Sequence, residues 1–121
     1  RFHAVAALRA VTDWRNYHYS NPAYTEPRLG TPENNPKHYS RSSPLTMAGE
    51  MEQPVLIMHG LMDDNVGFQN TAQYIEKLVG SGNKELEMMV YPSERHTFSS
   101  PEAWYDEYRR IFEFLEKHLK E

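Results

Sequence analysis

Three apolar runs stand out from an otherwise polar chain, and they predict the strands of its fold. The run FHAVAALRAV (2–11) fits a buried strand or a buried helix, since its alanines favour a helix while its length and the polar break after it allow a central strand. The run PVLIMHG (54–60) is short and bounded by Pro and Gly, which predicts a strand buried on both faces. The run ELEMMVYP (85–92) ends at a proline and predicts another strand of the same kind.

Helical spacing between the last two runs predicts a helix over FQNTAQYIEKLVGSGN (68–83), which Gly80 would end. A strand, a helix and a strand in this order imply parallel strands joined by a right-handed crossover. The predicted fold class is therefore α/β, with about three parallel strands and flanking helices. The apolar face of this helix would comprise Phe68, Ala72, Ile75, Leu78 and Val79.

The end of the chain predicts a long amphipathic helix. Ser100 can cap it and Pro101 suits its first position. We expect Trp104 and Phe112 to anchor this helix to the sheet. The expected apolar face comprises Trp104, Tyr108, Ile111, Phe112, Leu115 and Leu119.

The segment 12–53 differs from the rest of the chain, because it holds most of the prolines and many tyrosines. It predicts a long excursion with one or two short helices, one of them starting in TPEN, where Thr31 can cap and Pro32 follows. So long an excursion in a compact domain is usually a functional or a covering segment.

Composition limits the classes of function. At 121 residues the chain is one domain at most, and its net charge of -4 with scattered basic residues argues against a nucleic-acid partner. No run approaches the roughly 18 apolar residues of a membrane span, so we expect a soluble chain, whether cytoplasmic or periplasmic. The absence of cysteine excludes disulfides, thiolate metal sites and a thiol nucleophile.

Two groups suited to acid and base chemistry follow neighbouring strands. Asp63 and Asp64 come after PVLIMHG, and His96 follows ELEMMVYP. Because ligand sites of parallel sheets lie at the carboxyl ends of the strands, Asp63 and His96 should lie side by side. A carboxylate that accepts from one imidazole nitrogen fixes the tautomer and leaves the other nitrogen as a general base.

An Asp followed by a His is the end of the triad order in α/β-hydrolases, in which a serine in GxSxG comes first. The sequence contains no GxSxG. The serines before Asp63 lack the flanking glycines and do not follow a short strand; they include Ser20, Ser40, Ser42 and Ser43. The chain therefore lacks the nucleophile that this order predicts.

Several segments resemble the C-terminal part of the peptidase domain in the prolyl oligopeptidase family, and most closely its dipeptidyl-peptidase-like branch. They are VTDWRNY (11–17), AYTEPRLGTPENNPKHYSRSSP (23–44), HGLMDDNVGFQ (59–69) and YPSERHTF (91–98). The resemblance implies an α/β-hydrolase domain that hydrolyses peptide bonds after Pro or Ala without a cofactor. Residues 1–121 would be the last part of that domain, lacking the nucleophile elbow and the β-propeller. The apolar run directly after Arg1 leads us to expect that the chain begins inside the fold.

The resemblance assigns roles to individual residues. Asp63 and His96 match the catalytic Asp and His, and Asn65 matches a side chain that hydrogen-bonds a substrate carbonyl. Thr97 departs from the glycine that commonly follows the catalytic histidine. Uncharged aromatic walls suit a proline or an alanine. The residues matching the pocket for that side chain are Val11, Trp14, Tyr17, Tyr24 and Val66, of which Tyr24 has a longer spacing from Trp14 than in animal members.

Nearby candidates receive structural interpretations. We expect His59 to be a packed or hydrogen-bonded residue and Asp64 to be a turn acceptor. A metal site built from His59, Asp63, Asp64 and His96 is disfavoured, because no pair of them has the spacing of a metal motif.

Three functional hypotheses follow. The chain supplies the Asp and His of a serine peptidase that acts on peptide substrates. Alternatively, as an isolated chain without a nucleophile, it is a structural or association module that binds the missing N-terminal part or forms a homo-oligomer. A third hypothesis is an α/β-hydrolase esterase, although Asn65 and the tyrosine-rich excursion favour a peptide.

Overall fold

The computed structural model describes residues 2–120, which contain a three-stranded parallel sheet. The strands are β1 (Val5–Leu8), β2 (Val55–Gly60) and β3 (Leu86–Tyr91), in the order β1-β2-β3. Both neighbouring pairs run parallel, so the predicted α/β class with about three parallel strands is confirmed. The first apolar run is thus a strand, and it lies at one edge of the described sheet.

Only the central strand is buried throughout. All six residues of β2 are buried, as predicted. The prediction that β3 is equally buried is wrong, because Glu87 and Met88 are exposed. As the other edge of the described sheet, β3 has one neighbouring strand where β2 has two.

The excursion after β1 folds into more helix than the sequence predicts. It contains α1 (Trp14–Ser20), α2 (Pro22–Leu29), α3 (Pro36–Ser42) and a 3₁₀ helix (Pro44–Glu50). No helix starts at Thr31, although its hydroxyl accepts a hydrogen bond from the Asn34 N–H at 3.2 Å. That stretch forms a turn, and the next helix begins at Pro36.

The helix α4 (Gln69–Gly80) covers one face of the sheet, where its Tyr74 and Leu78 pack with Val55 and Ile57 of β2. The prediction that Val79 belongs to the buried face is wrong, because this side chain is 63% exposed. Polar residues take part of that face instead, since Asn70 and Thr71 are buried.

The prediction that α4 ends at Gly80 is confirmed. Gly80 is the last helical residue, Ser81 is the C-cap, and Gly82 adopts the left-handed conformation with a φ of 82°. Glycine is favoured at this position after a helix, because it has no Cβ to oppose a positive φ.

The closing helix α5 (Pro101–Leu119) begins as predicted, with the Ser100 side chain accepting from the Ala103 N–H. The prediction that Phe112 anchors it is wrong, because Phe112 is 67% exposed. The buried face is instead centred on Phe114 and Glu107, whose carboxylate pairs with Arg9 at 2.9 Å. None of the helices in residues 2–120 is long and apolar enough to cross a membrane.

Candidate active site

The loops that follow β2 and β3 are joined by backbone hydrogen bonds. The Leu61 N–H donates to the Tyr91 carbonyl at 2.9 Å, and the Met62 N–H donates to the Glu94 carbonyl at 3.0 Å. The contact begins at Gly60, where an added Cβ would overlap the Glu94 carbonyl. Glycine at the end of β2 therefore permits the close approach that brings the two loops together.

The Asp63 side chain lies at the centre of this junction and is fully buried. Its Oδ1 accepts hydrogen bonds from the N–H groups of Asn65 at 2.9 Å and Val66 at 2.8 Å. Its Oδ2 lies 2.8 Å from His96 Nδ1 and 3.1 Å from His59 Nε2. Four donors thus hold the carboxylate, two on each oxygen, and fix its orientation.

His96 is placed beside Asp63 as the order of the strands predicts. Because a carboxylate only accepts, the His96 Nδ1 carries the proton of the 2.8 Å hydrogen bond. The neutral ring then has its lone pair on Nε2, and its side chain is 34% exposed. The pair can therefore act as a general base whose tautomer is set by the buried acid.

Asp63 and Asp64 have opposite environments. The Asp64 side chain is 69% exposed and accepts from Arg95 at 2.8 Å, across the two loops. The expectation that Asp64 is the turn acceptor is wrong, because Asp63 receives the two backbone N–H groups of the turn.

Three aromatic rings from α1 and α2 form a cluster near this loop. The Trp14 ring stacks on that of Tyr24, with 6.2 Å between their centroids. The centroid of Tyr17 lies 5.6 Å from that of Trp14 and 5.8 Å from that of Tyr24. Tyr24, whose spacing departs from animal members of the resembled family, therefore joins the other two rings. The Tyr17 hydroxyl donates to Asn65 Oδ1 at 2.9 Å, which links the cluster to the Asp63 loop.

The two valines assigned to the pocket differ in burial. Val11 is half-buried, at the start of the segment that leads to the aromatic cluster. Val66 is 3% exposed and lies in the turn that binds Asp63. The structure thus places all the predicted site residues on two adjoining segments, apart from His96.

Asn70, which the sequence analysis did not select, connects those segments. Its Oδ1 accepts from the backbone N–H groups of Thr12 and Asp13, both at 3.1 Å. Its Nδ2 donates to Asn16 Oδ1 and to the Gly67 carbonyl, both at 3.0 Å. Within a helical pattern an asparagine carries no signal of such contacts, so single-sequence reasoning had no means of finding it.

The same region offers no arrangement for a metal ion. Across residues 2–120, no group of three or more His, Asp or Glu side chains is placed to hold one. The chemistry of the described site is that of an acid, a base and an aromatic surface.

Comparisons with known proteins agree on one family. A model described as "Prolyl oligopeptidase family" matches residues 1–121. A protein named "Probable dipeptidyl-aminopeptidase B" from Talaromyces marneffei is 40% identical over 111 residues, which are 90% of this chain and 12% of that protein. A protein of the same name from Phaeosphaeria nodorum is 41% identical over 93 residues, 75% of this chain and 10% of that protein.

Solved structures extend the likeness to three dimensions. The crystal structure of Porphyromonas gingivalis dipeptidyl peptidase 4 matches with a TM-score of 0.90 and 34% sequence identity, covering 97% of this chain and 16% of that one. The chain thus spans a small part of the length of the relatives it matches.

Proposed function

We propose, from the premise that this chain belongs to the prolyl oligopeptidase family, that it supplies the Asp and His of a Ser-Asp-His triad in a dipeptidyl-peptidase-type serine peptidase. The observation that carries the proposal is the 2.8 Å contact between His96 Nδ1 and the buried Asp63 Oδ2. A histidine held by a buried acid at the carboxyl edge of a parallel sheet is the arrangement that activates a hydroxyl nucleophile.

In the proposed reaction, the nucleophilic serine comes from a part of the protein outside this chain. His96 Nε2 takes the proton of the serine hydroxyl as its oxygen attacks the scissile carbonyl carbon. The C–N bond then breaks, the leaving amine receives that proton from His96, and an acyl-enzyme remains. Water then attacks the acyl carbon and gives a proton to His96. The bond from that carbon to the serine oxygen breaks, His96 returns the proton to this oxygen, and the carboxylic acid product leaves. Asp63 stabilises the imidazolium in both halves.

Specificity for Pro or Ala is proposed from the aromatic cluster and its hydrogen bonds. Trp14, Tyr17 and Tyr24 present uncharged rings, which suit a flat apolar proline or a small alanine. The Asn65 amide oxygen is occupied by the Tyr17 hydroxyl at 2.9 Å, which leaves its NH₂ group to donate to a substrate carbonyl. Such a donor supports a peptide substrate over a simple ester.

The first experiment is labelling with a fluorophosphonate probe, read by intact mass, because this reagent marks an activated serine without assuming a substrate. We expect the isolated chain to remain unlabelled. A longer protein that contains this chain should take up one label, and its His96→Gln variant should take up much less. Labelling of the isolated chain would mean that one of its own serines is activated, and the proposed division of the triad would be wrong.

A second measurement tests the substrate class. A fresh, unlabelled sample of the longer protein is assayed with dipeptide amides that carry Pro, Ala or Glu before the scissile bond, and with an aliphatic ester. We expect cleavage after Pro or Ala and little cleavage after Glu. Efficient hydrolysis of the ester alone would support the esterase hypothesis instead.

A further inference from the structure

His59 contacts the same carboxylate oxygen as His96, but it does so from inside the protein, whereas His96 is partly exposed. Its ring is fully buried, and its Nε2 lies 3.1 Å from Asp63 Oδ2 and 2.8 Å from the Val66 carbonyl oxygen. Its Nδ1 lies 2.7 Å from the Thr71 hydroxyl of α4. Both ring nitrogens therefore have partners, which lie in the turn from Asp63 to Val66 and in α4.

These partners determine where the proton of His59 resides. Both neighbours of Nε2 are acceptors, a carboxylate and a carbonyl, so Nε2 carries a hydrogen shared between them. The Thr71 hydroxyl can donate to Nδ1, which completes a neutral ring in a single tautomer.

We propose that His59 is a positioning residue for Asp63, with Thr71 and the Val66 carbonyl holding its ring in place. This inference rests on the proposed function, because it concerns the acid that orients His96. By donating to Oδ2 from the buried side, His59 leaves the partly exposed side of this oxygen free for His96. The second hydrogen bond also restrains rotation of the Asp63 carboxylate. The role resembles that of outer partners which orient ligands at metal sites.

Among residues 2–120, the charged side chain that contacts His59 directly is Asp63. The Phe68 ring lies edge-on to it at 5.6 Å. Around Asp63, the neighbouring ionic groups are His96 and the Asp64–Arg95 pair, whose side chains are 69% and 65% exposed. Asp63 is therefore the charged group with which His59 interacts directly, and loss of His59 should be felt through Asp63.

The test compares His59→Leu with His59→Gln in the longer protein that contains this chain, since Gln can place an amide N–H near the position of Nε2. We expect His59→Leu to lower kcat by about 10- to 100-fold with little change in KM, as for other outer partners. His59→Gln should recover most of kcat. His118→Leu, which removes a largely buried histidine of α5, is the control for loss of a histidine as such.

A double-mutant cycle decides whether His59 acts through Asp63. In the Asp63→Asn background, we expect His59→Leu to change the rate of fluorophosphonate labelling by less than about twofold, because the acceptor it serves is gone. Equal effects of His59→Leu in both backgrounds would overturn the inference. So would a folded His59→Leu protein with wild-type kcat.

Two further outcomes keep the inference separate from the proposed function. If Asp63→Asn and His96→Gln retain activity, the proposed function itself fails.

If His59→Leu does not fold, Thr71→Val and Thr71→Ser decide the question, because only Ser keeps the hydroxyl. We expect Thr71→Val to lower kcat by about three- to tenfold relative to Thr71→Ser, the value of one neutral hydrogen bond. Equal rates for these two variants would overturn the inference.

Discussion

At the residue scale, two adjacent aspartates that look alike in sequence should differ strongly in their effect on activity. In the longer protein, Asp63→Asn should lower kcat by about 10⁴-fold, because the amide can donate to His96 and reverse its tautomer. Asp64→Asn should cost no more than a few-fold, since the Asp64–Arg95 pair is exposed and such pairs contribute little. Steady-state kinetics of both variants measure the difference. Similar losses would show that the acid has been assigned to the wrong residue.

The contrast between these residues also shows how far single-sequence reasoning reaches. The pairing of Asp63 with His96 was predictable, because both follow parallel strands of one sheet and such strands end at one edge. The contacts of His59 and Asn70 were not, since each depends on side-chain direction within an element, which spacing does not specify. Asp64 was misjudged for the same reason: the pattern identifies the turn but not which carboxylate faces its N–H groups.

At the element scale, the junction between β2 and β3 depends on Gly60. We expect Gly60→Ala to destabilise the fold by about 1–3 kcal/mol, the usual cost of overpacking, because the added methyl would overlap the Glu94 backbone. Gly49→Ala is the matched control, since an added Cβ there meets nothing within 4 Å. Urea unfolding of the three proteins measures the effect. Equal midpoints for the two variants would mean that the loops can separate without cost.

A second element-scale prediction concerns the bond between β3 and α5. The Tyr91 hydroxyl donates to Asp106 Oδ2 at 2.8 Å, and burial together with this carboxylate raises the pKa of Tyr91 well above its usual range. Because the pKa of Tyr91 is higher in the folded protein, the unfolded chain loses this proton at a lower pH. The contribution to stability is therefore complete below the unfolded value of about 10 and is lost as the pH rises above it.

Tyr91→Phe should consequently reduce the loss of stability between pH 8 and a pH of about 10.5, although it lowers stability at pH 8 by removing the hydrogen bond to Asp106. Urea midpoints at the two pH values give this difference. Tyr105→Phe, at an exposed position of α5, serves as the control and should leave it unchanged. An unaltered pH dependence in Tyr91→Phe would contradict the coupling.

The errors in the predicted helices share a physical cause. The buried face of α5 runs through Glu107, and that of α4 runs through Asn70 and Thr71. Because these polar residues are buried with specific partners, the apolar pattern alone predicts a buried face that is rotated about the helix axis from the observed one. Phe112 and Val79 were assigned to the core by that rotated pattern, and both are largely exposed. The strand β2 escaped this error because it is apolar at nearly every position.

At the scale of the whole molecule, β1 has an unpaired edge within the described sheet, and an apolar groove lies beside it. The groove has a volume of about 450 Å³, and the residues lining it include Phe2, Ala4, Val5, Ala6, Ala7, Met51 and Tyr74. A strand edge with apolar surroundings is a template for pairing with another strand. Since the chain spans 12% of a relative such as the Talaromyces marneffei protein, we propose that another strand of the same protein occupies this edge.

That proposal predicts how the isolated chain behaves when nothing covers the edge. We expect it to elute from gel filtration above its mass of 14.2 kDa, in a concentration-dependent manner, because copies pair through β1. Ala6→Lys places a charge in the groove and should shift the chain towards the monomer. Val79→Lys, on an exposed position of α4, should not. A wild-type chain that remains monomeric at all concentrations would contradict the proposal, whereas association unaffected by Ala6→Lys would place the contact elsewhere, away from β1.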